Sequence, residues 1–303
     1  MWEGERRMNR KKGLKPVGLI AATVLLGLMT GCGGLGENAE QAINSSARTI
    51  ENAVSEVAKS SKEIVKENGY AKEVTTEEEV GTATTLHMNN AVGDIDIRSV
   101  SGTKITAKST ITASTSLFRS KKQLQKVIEQ AEVSVVIEGD KVRVFTHAKD
   151  HPEQDLWDWS ESKYGYSDFS IDYEIGLPSN VKVLDVTNDV GEIALADITG
   201  EYRIQSDVGS IEIKGAHFSG DSSLSSSTGS IDLEIGQIDS DGSLKAVADV
   251  GSIDLKLADA VSCILDLDAD VGVINGASRG ESKRGDGGPR VSLTTSVGAI
   301  NVE

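Results

Sequence analysis

The sequence ADVGSIDLK occupies residues 248–256, and close variants of it recur along the chain. The other copies are NAVGDIDIR at 90–98, NDVGEIALA at 188–196, SDVGSIEIK at 206–214, SSTGSIDLE at 226–234, ADVGVINGA at 269–277 and TSVGAINVE at 295–303. From Gly191 onward, the central glycines follow one another at intervals of 18 to 26 residues. A period of about 20 residues without a helical pattern indicates an array of short strands, in which each repeat covers the apolar face of its neighbour.

The glycine of each copy separates two stretches whose apolar residues alternate. Leu184 and Val186 precede Gly191 at even positions, whereas Ile193 and Leu195 follow it at odd positions. Alternation with a period of two is typical of a strand that buries one face. Because an uninterrupted strand cannot change the parity of its buried residues, the glycine is predicted to form a corner or a bulge.

These patterns predict a mainly β fold. The preferred architecture is a β-solenoid or β-helix with two or three short strands in each turn of about 20 residues. A β-sandwich of short hairpins is the alternative, because the period of the repeat does not fix the direction of the strands.

Residues 1–31 have the composition of a secretion signal. A basic region from Arg6 to Lys15 precedes an apolar core from Leu19 to Met29, which is short for a membrane span. Small residues then lead directly to Cys32, as in a bacterial lipobox. We therefore predict a lipoprotein signal peptide over 1–31 and an extracytoplasmic protein held to the cell membrane by lipid (palmitate) at Cys32. An ordinary signal peptide or an uncleaved anchor is the alternative.

Residues 32–80 are predicted to form a helical stalk or linker. This part is rich in Ala, Glu, Lys and Ser, and between residues 40 and 64 its apolar residues are spaced four and three apart. That spacing is a heptad pattern, so the stalk 40–64 is a candidate for self-association. Three heptads are few for a coiled coil, and a solvated spacer helix is the simpler interpretation.

Residues 81–303 are predicted to form the β domain, with an insert at about 117–168. Within the insert, 119–131 has the pattern of a short amphipathic helix. Residues 132–138 and 141–147 are predicted to pair as strands around Gly139-Asp140.

Residues 84–303 resemble the bacterial putative-adhesin domain family. The resemblance rests on a strand that ends in Leu177-Pro178, on the Val-x-Val strand at 181–183 and on the serial V-G-x-I-x-[IL] phrases. It implies a β-solenoid-like domain on a cell-envelope protein, and it implies no catalytic residues. Many members read Ser-Gly-Asp where this chain mostly reads Asp-Val-Gly-Ser, so the resemblance does not extend to a shared ligand chemistry.

The chain is strongly acidic, with a formal net charge of −16. Such a surface repels nucleic acid, so no nucleic-acid partner is predicted, and it favours cations or basic partners. Stacking of the repeats would place equivalent acidic side chains about 4.8 Å apart in two columns. The columns are Asp189, Asp207, Asp249 and Asp270 before the glycine, and Glu212, Asp232 and Asp254 after it.

Oxygen-rich columns of this kind suit Ca²⁺, so they are candidate cation sites. Aspartates that accept backbone N–H bonds at turns are the simpler interpretation. No metal-binding loop motif is present in the sequence, and neither a structural metal nor a cofactor is predicted.

The insert also carries a cluster of aromatic residues. Trp157, Trp159, Tyr164 and Tyr166 lie within ten residues, interleaved with acidic ones. Exposed rings in a polar loop can stack on an envelope glycan or anchor a protein partner. The alternative is that the insert folds back over an open end of the stack, where unpaired strand edges need cover.

The sequence indicates only the general class of function. The preferred interpretation is a non-catalytic, adhesin-like binding or scaffold domain of a membrane-anchored lipoprotein. The alternative is an envelope sensor or regulatory accessory protein that acts through protein partners. A carbohydrate-active enzyme would need acids converging in a cleft, and the repeats show no such cluster. Cys263 is predicted to be structural, and the four histidines are dispersed.

Overall fold

The computed structural model describes residues 70–113 and 121–303. The predicted signal peptide, Cys32, residues 32–69 of the predicted stalk and residues 117–120 of the insert lie outside the described residues. The elements are β1 (Tyr70–Glu79), β2 (Thr85–Val92), β3 (Ile95–Val100), β4 (Lys104–Ala113), α1 (Lys121–Glu129), β5 (Ala131–Glu138), β6 (Lys141–Ala148), β7 (His151–Asp155), α2 (Leu156–Tyr164), β8 (Ser170–Pro178), β9 (Val183–Val190), β10 (Ile193–Ala196), β11 (Thr199–Val208), β12 (Ile211–Phe218), β13 (Asp221–Thr228), β14 (Ile231–Ile238), β15 (Ser243–Val250), β16 (Ile253–Leu257), β17 (Cys263–Asn275), β18 (Gly280–Arg284) and β19 (Arg290–Val302).

The repeats pair with one another in parallel and in register. The strand segments that precede the glycines are neighbours in the order β2, β9, β11, β13, β15, β19, β17. The segments that follow the glycines are neighbours in the order β3, β10, β12, β14, β16, β19, β17. Val186 thus lies beside Ile204, and Ile193 beside Ile211. Equivalent apolar residues of successive repeats therefore share one continuous core.

The predicted mainly β composition is confirmed, but the predicted architecture is wrong, because the parallel strands close into a ring. β12 continues past a bulge at Ala216 and pairs with the start of β11, where Thr199 meets His217. This pairing joins the two sets of strands into a closed seven-stranded parallel barrel of β11, β12, β14, β16, β19, β15 and β13, to which the other strands are added. Neither the predicted solenoid nor the alternative sandwich has such a ring. The repeat period shows which residues are buried but not which strand edges meet.

The helical stalk predicted up to residue 80 is also wrong over residues 70–79. These residues form β1, which pairs antiparallel with β4 over its full length. Tyr70 and Val74 pack against the core from one face of the strand. Lys72 reaches from the same face to the backbone carbonyls of Glu129 and Ala131, at 3.0 and 2.7 Å. The strand therefore belongs to the β domain.

Glycine forms the predicted corner between the paired strands, as Gly209 illustrates. Its φ is +140°, and a Cβ atom there would overlap the carbonyl oxygen of Gly191 in the preceding repeat. The change of buried parity across the corner is confirmed: Ile204 precedes Gly209 and Ile211 follows it, and both side chains are buried. The close approach of successive backbones requires a residue without a side chain.

A row of buried polar side chains lines the inner side of these corners. Asn188 donates to the carbonyl oxygen of Gly93 at 2.9 Å, and Thr295 donates to that of Gly251 at 3.0 Å. Asn90, Ser206 and Ser226 occupy equivalent positions and also donate to glycine carbonyls. These bonds compensate for the burial of the hydroxyl groups and of the amide nitrogens, whereas the amide oxygens of Asn90 and Asn188 are buried without a hydrogen-bond partner among the described residues.

The insert covers the end of the stack beyond β2. β6 pairs in parallel with β2, and β5 pairs antiparallel with β6 around Gly139-Asp140, as the sequence predicted. The predicted amphipathic helix is present as α1, which buries Leu124, Val127 and Ile128. Across residues 70–113 and 121–303, no helix is long and apolar enough to span a membrane.

Candidate binding surface

The acidic residues that follow the glycines form one straight column on the outer surface. Glu212 lies beside Asp232, and Asp232 lies beside Asp254 on the next strand. Asn301 of β19 continues the column, because its position pairs with that of Asp254. Neighbouring strands are about 4.8 Å apart, so the carboxylates form a closely spaced row. We call Glu212, Asp232, Asp254 and Asn301 the post-glycine column.

The column lies in a shallow groove of about 210 Å³ that we call the acidic groove. Besides the column, its lining consists of Ile213, Lys214, Leu233, Glu234, Leu255, Lys256 and Glu303. Five of the charged side chains are acidic and two are basic. The groove is open to solvent and carries an excess of negative charge.

Ion pairs and hydrogen bonds connect neighbouring side chains of the groove. The Lys214 ammonium lies 2.5 Å from Glu212, and the Lys256 ammonium lies 3.6 Å from Glu234. The hydrogen bond to Glu212 raises the pKa of Lys214. Asn301 donates to Asp254 at 2.5 Å. These exposed pairs contribute little to stability, so their members can exchange for other charged partners.

The acidic residues that precede the glycines are more widely separated. Asp207, Asp249 and Asp270 are exposed, and the strands between them carry serine at the equivalent positions, Ser227 and Ser296. Consecutive aspartates of this part of the pre-glycine column are therefore about 10 Å apart, twice the strand spacing. Asp189 and Asp207 occupy neighbouring strands.

The structure gives neither column the geometry of a metal site. Within the part of the chain that the structure describes, no group of three or more His, Cys, Asp or Glu side chains converges as metal ligands do. Binding of Ca²⁺ at the columns therefore has no support from their geometry. The post-glycine column is better described as a charged row on a flat sheet.

The aromatic residues of the insert form a packed cluster. Trp159 and Tyr166 are buried, and their exposed fractions of 3% and 4% leave no surface for a ligand. Trp157 stacks on Phe169 with ring centroids 5.5 Å apart, and Tyr164 meets the edge of Trp159 at the same distance. Trp157 and Tyr164 remain half-buried. Ligand contact through the aromatic cluster stays a prediction. Of the four rings, only Trp157 and Tyr164 have enough accessible surface to contact a ligand.

His87, His147 and His217 have hydrogen-bonding partners, and Cys263 is a buried free cysteine. His87 lies 2.8 Å from Asp185, and His217 lies 2.7 Å from Asp239. His147 is buried beside Ser134 at 2.7 Å. Cys263 is buried, and burial raises the pKa of its thiol, against the opposing effect of Arg284. A thiol with a raised pKa is a poor nucleophile at neutral pH.

Sequence reasoning missed part of the groove. Asn301 was not counted in the column, although it occupies the same place in its repeat phrase as Asp254 does in its own. Glu234 and Glu303 were also missed, although each stands five residues after its glycine, as Lys256 does in its own repeat phrase. Aligning the copies by their glycines identifies Asn301 and also the second row of the groove, which consists of Lys214, Glu234, Lys256 and Glu303.

No family model matches the chain, and no curated protein matches it. Among solved structures, it is similar to one described as a "putative cell adhesion protein" from Clostridium sporogenes, with a TM-score of 0.38, 14% identity and coverage of 77% of this chain and 99% of that one. It is similar to a "putative lipid binding protein" from Parabacteroides distasonis (TM-score 0.25, 12% identity, 78% and 97% covered) and to a "putative adhesin" from Bacteroides fragilis (TM-score 0.26, 12% identity, 77% and 97% covered). At such TM-scores these similarities assign neither a family nor an activity to this chain.

Proposed function

We propose that this protein is a non-catalytic, adhesin-like binding module of the bacterial cell envelope, tethered by lipid at Cys32. The observation that carries the proposal is the acidic groove, in which strand pairing aligns Glu212, Asp232 and Asp254 into one row. A row of carboxylates on a rigid sheet is suited to hold a partner with a matching row of positive charges.

The partner that fits the groove is an extended basic segment of another envelope protein. In an extended segment, side chains on one face recur about every 6.6 Å, close enough to the spacing of the row for several lysines or arginines to reach it. The side chains of Lys214 and Lys256 are both 61% exposed, so they can turn aside and release Glu212 and Glu234 to the partner. Charge favours a basic protein segment over a neutral glycan.

The groove is not suited to acid–base catalysis. Its acidic residues lie on an open sheet surface and two of them pair with lysines, whereas a general acid is typically buried so that its pKa shifts toward neutrality. Binding without turnover is the chemistry that an exposed and internally paired charge row supports.

The proposal is tested by measuring binding of a fluorescently labelled hexalysine peptide to the full-length protein in mild detergent. Replacing Glu212→Gln and Asp254→Asn together is expected to weaken binding about three- to tenfold, and binding of the unmodified protein is expected to weaken as salt is added. The matched control is Glu77→Gln with Glu78→Gln, which removes the same charge from exposed positions on β1. Equal weakening in both variants would show that net charge alone attracts the peptide, and the groove would lose its role.

A further inference from the structure

The outer edge of β17 is only partly covered. β19 pairs with one edge of β17 from Ile264 to Asn275. On the other edge, β18 pairs only with Cys263–Leu267. Arg279 covers the next part, because its guanidinium bonds the Ala269 carbonyl oxygen and pairs with Asp268. Among the described residues, no strand pairs with this edge from Asp270 to Asn275.

In the repeats of Gly93, Gly191, Gly209 and Gly229, this same edge donates two hydrogen bonds to the neighbouring strand of the next repeat. The glycine N–H donates to a carbonyl of the next strand, as from Gly209 to Thr228 at 2.9 Å. The isoleucine two residues later does the same, as from Ile211 to Ser230 at 2.9 Å. Gly272 occupies the glycine position at the end of the stack, where the described residues supply no following strand.

The apolar side chains of β17 beside this edge are also less buried than those of the other repeats. The isoleucine after the glycine is fully buried in Ile193, Ile211, Ile231, Ile253 and Ile300. Its equivalent Ile274 is only partly buried. Val271, directly before the glycine, is 44% exposed. The valine or threonine directly before the glycine is less exposed in each of the other repeats. An edge with free donors and an accessible aliphatic pair is a template for one more strand.

The glycine corners determine which strand fits in parallel register. At Gly191, Gly209, Gly229 and Gly298, a Cβ atom would overlap the carbonyl oxygen of the glycine in the preceding repeat. A strand added beyond β17 in the same register therefore needs glycine opposite Gly272. It also needs an aliphatic residue two positions later to cover Ile274, and the residue two positions before its glycine would face Asp270.

We propose that the Asp270–Asn275 edge docks an extended segment of another protein that carries an aliphatic-Gly-x-aliphatic phrase preceded by a basic residue. The described residues of a second copy of this chain do not offer such a segment. Its described phrase copies other than β17 are already paired on both edges, and its net charge of −16 opposes close approach. This partner and surface are distinct from the acidic groove, whose lining contains no residue of β17.

The test uses the full-length protein in mild detergent and the labelled peptide Ala-Lys-Val-Gly-Ser-Ile-Lys-Leu. This probe is the phrase at 248–255 with lysine in place of both aspartates. We expect it to bind at least about tenfold more tightly than the same peptide with alanine in place of glycine, because the alanine Cβ would displace the strand. The two peptides have equal charge, so charge-driven binding in the acidic groove would not separate them. Equal affinity of the two peptides would overturn the proposal.

A charge reversal shows where the peptide binds. Asp270→Lys is expected to weaken binding of the lysine peptide and to strengthen binding of the peptide with glutamate at its second position. Because the variant gains one ligand while it loses the other, misfolding cannot produce this result. Unchanged preferences in Asp270→Lys would place the peptide elsewhere and contradict the assignment. A dimer of the unliganded protein that Asp270→Lys abolishes would show that a second copy occupies the edge, which also contradicts it.

Discussion

A Cβ atom on Gly209 would overlap the carbonyl oxygen of Gly191, one repeat earlier. The same relationship joins Gly191 to Gly93 and Gly229 to Gly209, so the corners of successive repeats lie directly on one another. The parallel strands on both sides can keep their hydrogen-bonding distance only because these backbones approach so closely. The contacts between successive corner glycines thus set the strand register in which the acidic side chains align.

The first prediction follows from this contact. Gly209→Ala is expected to destabilise the protein by about 3 kcal/mol or more, since it adds an overlap with backbone to an unfavourable φ. The control is Gly139→Ala in the β5–β6 turn, where φ is +64° and no atom lies within 4 Å of the added Cβ. That change is expected to cost only about 1 kcal/mol. Denaturant unfolding compares the two, and equal losses would show that the close approach is unimportant.

The second prediction concerns the buried polar row. Thr295→Val keeps the shape of the side chain but removes its 3.0 Å bond to the Gly251 carbonyl, so a loss of about 1 to 2 kcal/mol is expected. Thr294→Val on the outer face of the same strand is the control, and it is expected to change stability by less than about 0.5 kcal/mol. Thermal unfolding measures both. If the two variants melt together, the row does not stabilise the corners.

The third prediction is a loss of stability at alkaline pH. Burial raises the pKa of Tyr173 and of Tyr202 well above the ordinary value of about 10. In the unfolded chain both phenols release their protons from about pH 10 upward, whereas in the folded protein they keep them. The free energy of unfolding is therefore unaffected by these groups below pH 10, and it falls above pH 10 by up to about 1.4 kcal/mol per pH unit for each tyrosine.

The control for this pH dependence is the double variant Tyr173→Phe and Tyr202→Phe. It is expected to be less stable at neutral pH, since each hydroxyl donates a hydrogen bond, to Thr146 and to the Ile198 carbonyl. Its stability should nevertheless fall less steeply between pH 10 and pH 11. A slope equal to that of the unmodified protein would show that the two phenols ionise in the folded state.

The fourth prediction tests the lipid anchor. Cys32→Ser is expected to remove the acyl chains, to abolish cleavage at residue 32 and to shift the mass of the protein accordingly, because this thiol is the predicted site of lipid attachment. Cys263→Ser is the matched control, since the chain contains only these two cysteines. It should retain the lipid and the membrane fractionation. Mass spectrometry and fractionation of cells that express each variant provide the measurement, and an unlipidated wild-type protein would contradict the prediction.

Much of the local structure was predictable from the sequence. The parity of Leu184, Val186, Ile193 and Leu195 identified their buried face correctly, and all four are buried. The hairpin around Gly139-Asp140 was also correct. Alternation of apolar residues predicts which side chains are buried, and turn residues predict where two neighbouring strands form a hairpin. Both are local properties of the sequence.

The errors concern which elements meet. Nothing in the spacing shows that Thr199 pairs with His217 to close the barrel, because this contact depends on a bulge in β12. The order of the last strands was equally hidden: β19, the final strand of the chain, lies between β16 and β17. The sequence left open whether Trp159 and Tyr166 contact a ligand or pack within a folded-back insert, and both are buried against Tyr164. These are non-local pairings, which a single sequence does not specify.

The most direct measurement of the central claim is cross-linking within the post-glycine column. Asp232→Cys and Asp254→Cys, introduced together with Cys263→Ser, place two thiols on neighbouring strands about 4.8 Å apart, which is within the reach of a disulfide. Glu212→Cys with Asp254→Cys places them two strands apart, at about 10 Å, which is too far. We predict that mild oxidation forms an intrachain disulfide in the first pair and not in the second. A disulfide in the second pair, or none in the first, would show that the carboxylates do not form the row on which the proposed binding surface depends.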